Sequence, residues 1–191
     1  MQLLTALLFL GILAIQSVHT WSPTYAEPQQ GWTTHTSNIC NLSIDYPSTW
    51  ILIEKQGRFD TTVSGKLQIS SNNTTIGNLP YIHFIYCDPR NDLGSLVEET
   101  NALQNSMPSD EYDLVEFSHL ERNLIGGKDA GVFAVVTKST DVAPDKGIEI
   151  YTVINGTMLY QFGYHDSLYH FDTPEGKQIR DGILKSIRFL S

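Results

Sequence analysis

Apolar and polar positions alternate in short blocks along most of the chain, and only two stretches carry a helical period. The first block is different. Leu3–Ile15 is apolar except at Thr5 and Gly11, a length that suits the h-region of a secretory signal and is short for a membrane span. Gln16 and Ser17 end the run, and the small-x-small pattern Thr24-Tyr25-Ala26 places a cleavage site after Ala26. No Lys or Arg precedes the run, so the alternative is an uncleaved anchor. Residues 27–40 are polar, with Pro28 and Gly31, and read as a leading tail or linker.

From residue 41 to residue 191 the pattern predicts one domain. Leu42–Tyr46 alternates as a half-buried strand, and Pro47-Ser48 turns the chain. Strands follow over 50–54, 66–70 and 81–87, the last apolar on both faces and therefore central. Ser95 and Glu98 form a capping box. Leu96, Thr100, Leu103 and Met107 then share one helical face, and Pro108 stops the helix. Further strands occupy 114–120 and 131–137. Ile148–Ile154 and Thr157–Tyr164 flank Asn155-Gly156, the signature of a type I′ hairpin. A second helix starts at Asp172 or Thr173 with Pro174 in its first turn and buries Ile179, Ile183 and Ile187. Gly176 and Gly182 weaken it by about 1 kcal/mol each relative to Ala. Strands that come as hairpins with few helices imply an α+β fold, a mostly antiparallel sheet with helices packed on its faces.

Charge narrows the function classes. The formal net charge is −9 at pH 7, and none of the charged side chains lies in residues 1–26. That opposes nucleic-acid binding, which needs a basic face, and docking on an anionic membrane. The two cysteines, Cys40 and Cys87, pair in an oxidising compartment; the alternative is two separate buried thiols. Sequons begin at Asn41, Asn72, Asn73 and Asn155, compatible with a glycoprotein surface, although Asn155 also suits a turn. There is no Walker A loop, no G-x-S-x-G elbow and no H-E-x-x-H helix. One cluster has ligand chemistry: His165, Asp166, His170 and Asp172 can hold zinc, or manganese less strongly. Its alternative is a solvated loop in which Asp172 caps the next helix. The aromatics Tyr151, Tyr160, Phe162 and Tyr164 either line a pocket or pack across strands.

These blocks, taken in order, resemble the PsbP-like family, whose eponym is an extrinsic lumenal subunit of photosystem II. The elements that carry the resemblance are Tyr46-Pro47-Ser48-Thr49-Trp50, Ser95-Leu96-Val97-Glu98, Gly127-Lys128-Asp129-Ala130, Tyr151-Thr152-Val153, Tyr160-Gln161-Phe162-Gly163-Tyr164 and Ser186-Ile187-Arg188-Phe189. They span residues 41–190. The resemblance implies an α/β/α sandwich and a non-catalytic protein, often exported and attached to a larger membrane complex. The chain departs from the photosynthetic proteins in its plain secretory leader, its cysteine pair and its sequons. The expectation is therefore an exported accessory protein with an unidentified protein partner and no cofactor beyond a divalent metal. A small-molecule or metal-binding protein is the alternative, and a hydrolase with an unrecognised site the second.

Overall fold

The elements follow the pattern of apolar positions closely enough that the differences carry the information. The computed structural model describes residues 30–59, 62–71, 81–138 and 146–190. The apolar leader, the cleavage site and the sequon residues Asn72 and Asn73 lie outside them. In chain order the elements are β1 (Trp32–Ser37), β2 (Leu42–Pro47), β3 (Ile51–Phe59), β4 (Thr62–Ser70), β5 (Tyr81–Pro89), α1 (Leu96–Ser106), β6 (Tyr112–Ile125), β7 (Lys128–Thr137), β8 (Lys146–Asn155), β9 (Met158–Ser167), α2 (Leu168–Phe171), α3 (Pro174–Ser186) and β10 (Arg188–Phe189). Seven strands form the main sheet in the order β3-β4-β5-β9-β8-β7-β6, and β1-β2-β10 form a second, small sheet. All adjacent pairs are antiparallel.

The main sheet is buried on both faces, which makes an α/β/α sandwich. On one face Phe133, Val135, Ile148 and Ile150 pack against Leu103 of α1 and Met107 at its C-cap. On the other, Leu67, Ile69, Val132, Tyr151, Tyr160 and Phe162 pack against Ile183, Leu184 and Ile187 from α3 and its C-cap. Leu42 and Ile44 of the small sheet complete this second core. The capping box forms as expected: Ser95 Oγ accepts from the Glu98 N–H and Glu98 accepts from the Ser95 N–H. It leaves the exposed Glu98 carboxyl below the usual carboxylate range, through the Ser95 hydrogen bonds. Thr173 caps α3 by accepting from the Gly176 N–H at 3.1 Å. Cys40 and Cys87 form a disulfide with Cα atoms 5.4 Å apart, tying the β1–β2 turn to β5. Gly65 on β4 lies beneath it; a Cβ there would sit 2.5 Å from the Cys87 Sγ and 2.6 Å from the Cys40 Sγ.

Three expectations change. Residues 32–37, read as part of a tail, form β1 and pair with β2 from Trp32↔Pro47 to Ser37↔Leu42. β2 is not half-buried: Leu42, Ser43, Ile44 and Asp45 are all buried. Asp45 is satisfied there by the Thr34 hydroxyl at 2.7 Å and Arg188 at 2.6 Å. The β8–β9 hairpin closes one residue later than the Asn-Gly signal implies. Asn155 pairs with Met158, so Gly156 and Thr157 are the loop residues. Only Gly156 has a positive φ, +63°, which fits a type II′ turn with glycine at its first central position and not type I′.

Candidate functional site

The four residues expected to hold a metal are separated by the alternation of β9. Asp166 belongs to the face that carries the buried Tyr160, Phe162 and Tyr164. His165 points to the opposite face, across from Ile148. A Cβ on Gly163 would lie 3.1 Å from its Nε2. Asp172 is exposed and pairs with Lys177 at 3.3 Å. Asp166 and His170 meet. Asp166 is 1 % exposed and takes three hydrogen bonds: from the Tyr164 hydroxyl at 3.1 Å, the Ser167 N–H at 2.8 Å and His170 Nδ1 at 2.5 Å. A carboxylate only accepts, so Nδ1 carries the proton. Asp166 thus satisfies the turn from β9 into α2. His170 in turn presents its carbonyl to the Thr173 N–H at 3.0 Å and hydroxyl at 2.7 Å. Among the described residues, no group of three or more His, Cys, Asp or Glu side chains is placed to hold a metal ion.

The hairpin aromatics are core, not pocket lining. Tyr151, Phe162, Tyr160 and Tyr164 are all buried, and Tyr151 stacks on Phe162 with centroids 5.1 Å apart. Burial raises the Tyr151 and Tyr164 hydroxyls well above the ordinary phenol range, and the neighbouring carboxylates Glu149 and Asp166 add to it. Both phenols therefore stay protonated at physiological pH and act as donors.

Beside this core lies a groove of about 270 Å³ between α3 and the β6–β8 end of the sheet. Its inner end is Arg180, whose guanidinium sits 4.8 Å from the Phe171 ring centroid and 5.9 Å from that of Tyr164. Arg180 Nε pairs with Glu149 at 3.0 Å, and Glu149 accepts from the Tyr151 hydroxyl at 2.5 Å. The outer walls are Glu116 and Glu121 of β6 and Asp181 of α3. His119 lies between the two glutamates, 3.6 Å from Glu116 and 3.4 Å from Glu121. Four carboxylates face one guanidinium and one imidazole, so the groove suits a cationic group and repels an anion. A second cavity of about 130 Å³ lies across the sheet, between α1 and β6, lined by Val97, Thr100, Asn101, Ser118, His119 and Leu120. Periodicity alone does not show either one. Each depends on β6 being the last strand of the sheet, which is a property of strand order and not of local sequence.

The other two described sequon residues lie elsewhere. Asn41, at φ +50°, donates from Nδ2 to the Leu190 carbonyl at 2.8 Å. Asn155 closes the β8–β9 hairpin.

No protein-family model matches the chain, and no curated protein sequence matches it. Among solved structures it is similar to the solution structure of cyanobacterial PsbP (CyanoP) from Synechocystis sp. PCC 6803. The TM-score is 0.54 at 12% sequence identity, covering 86% of this chain and 95% of that one. At that identity the likeness establishes a PsbP-like α+β fold.

Proposed function

We propose that this chain is an exported, non-enzymatic accessory protein of PsbP-like type that works by binding another protein outside the cytoplasm. The observation that carries the reading is the shared fold with cyanobacterial PsbP over nearly the whole of both chains. Two others support it. The Cys40–Cys87 bridge suits an oxidising compartment, and the apolar leader Leu3–Ile15 suits secretion. Among the described residues, no helix is long and apolar enough to cross a membrane. The acidic groove between α3 and β6 favours a partner with a basic contact surface.

The test is affinity capture from detergent-solubilised membranes with the mature, disulfide-bridged chain. The expected result is one protein retained in near-stoichiometric amount and released by salt, as screening of an acidic contact requires. Retention of no protein, together with turnover of an ester or phosphoester substrate by the purified chain, overturns the reading in favour of a hydrolase.

A further inference from the structure

The main sheet ends on β6, a strand of 14 residues with no strand paired to its outer side among the described residues. Its pairing with β7 shifts register between Leu114 and Glu116, between Glu116 and His119, and between Glu121 and Ile125. Val115 and Phe117 fall inside the first two shifts and lie outside the ladder. They are 64% and 75% exposed. The second shift is built into the fold: the Ser118 N–H donates to Gln104 Oε1 at 2.7 Å, and its hydroxyl donates to Asn101 Oδ1 at 2.5 Å. α1 thus holds the bulge that turns Phe117 outward. Leu114 and Leu120, also exposed, extend the apolar strip.

The bulges and glutamates of β6 blunt it against indiscriminate edge pairing, yet they leave an apolar strip exposed beside them, which marks a selective contact. Here the two cavities flank it on opposite faces, and His119 borders both. The α1 side offers Val97, Thr100 and Leu120; the α3 side offers Glu116, Glu121 and Asp181. An extended segment laid along β6 sends alternate side chains to opposite faces. One set would meet the apolar cavity and the other the acidic groove. A second copy of this chain is a poor occupant, because antiparallel pairing of two β6 edges centred near His119 would set Glu116 of each copy against Glu121 of the other.

We infer that the outer edge of β6 binds an extended segment of a partner protein in which apolar side chains alternate with Lys or Arg. The inference rests on the binding role proposed above and specifies where and what the chain binds. Backbone pairing supplies affinity, and the two flanking cavities supply selectivity. Glu116 and Glu121 receive the cations, and Phe117 is the apolar anchor.

The probe is a capped peptide of alternating valine and lysine, with a fluorophore for anisotropy, titrated with the mature chain. Binding to the unmodified chain is expected. Affinity falls about tenfold or more in Phe117→Ser and in the double variant Glu116→Gln/Glu121→Gln. It is unchanged in Ile53→Ser, whose side chain is exposed on the opposite edge strand. A peptide with glutamate in place of lysine does not bind. Equal affinity across all variants, or no binding of the lysine peptide, overturns the inference. So does a dimer in sedimentation analysis that Phe117→Ser dissociates, which would make the occupant a second copy. Thermal melts confirm that these surface variants fold. A partner captured from membranes equally well by the unmodified chain and Phe117→Ser removes the inference and leaves the binding role standing. Peptide binding alongside turnover of an ester or phosphoester substrate and no captured partner removes the accessory role and leaves the β6 edge as a peptide site.

Discussion

At the scale of single residues, Gly176 shows how position overrides propensity. In isolation, glycine inside a helix costs about 1 kcal/mol relative to alanine. In α3 a Cβ on Gly176 would lie 2.2 Å from the His170 carbonyl oxygen, and one on Gly182 would lie 2.9 Å from the Trp32 ring. The carbonyl belongs to backbone that Asp166 and Thr173 hold in place, so it cannot give way cheaply. Gly176→Ala is therefore expected to lower stability by about 1–3 kcal/mol, the range for overpacking, where helix propensity alone predicts a gain. Urea unfolding measures the sign. The same turn explains why the sequence cluster at 165–172 misleads. Four ligand-type residues lie close together in the chain, but β9 continues to Ser167, three residues past Tyr164, where the apolar signal ends. Strand alternation then puts His165 and Asp166 on opposite faces. Tyr160 gives a pH prediction. Burial raises its hydroxyl to about 12 from 10. The unfolded chain loses that proton first, so stability is full below about pH 10 and declines as pH rises toward 12. Tyr151 and Tyr164 shift in the same direction. The melting temperature should be lower at about pH 11 than at about pH 9; no change contradicts the burial of these phenols.

Among the elements, those with local signals were legible and those fixed by distant partners were not. The capping box of α1 reads directly from Ser95 and Glu98. Ser95→Ala should cost about 1 kcal/mol, measured as a shift in the unfolding midpoint. The Ile179, Ile183 and Ile187 stripe of α3 also reads from periodicity; Ile183 and Ile187 are buried, and Ile179 is partly buried against the same core. β1 does not. Its sequence, Trp-Thr-Thr-His-Thr-Ser, has one large apolar residue, and what makes it a strand is pairing with β2. α2 has four residues and β10 two, too few for any period to register. The hairpin reads from the Asn-Gly pair but closes one residue later than that signal, because the pairing extends to Asn155 and Met158. The disulfide spans a separation of 47 residues. Replacing both cysteines with serine should lower stability by about 3–4 kcal/mol through the freedom returned to the unfolded chain. Chemical denaturation of the oxidised chain against the double variant tests this.

Across the whole molecule, sequence periodicity supplied the strands but not their order. Nothing local to Leu114–Leu120 says that this strand ends the sheet, and that position creates both the acidic groove and the exposed Phe117. The likeness to cyanobacterial PsbP sets the architecture, and the features that would make this chain selective lie at its β6 edge. A photo-reactive phenylalanine analogue in place of Phe117, in the intact protein within the cells that make it, tests whether the β6 edge meets another protein. A single covalent adduct with another protein is expected, and none when the analogue replaces Ile53 on the opposite edge. No adduct from the Phe117 position, or the same adducts from both positions, would contradict a binding role at this surface.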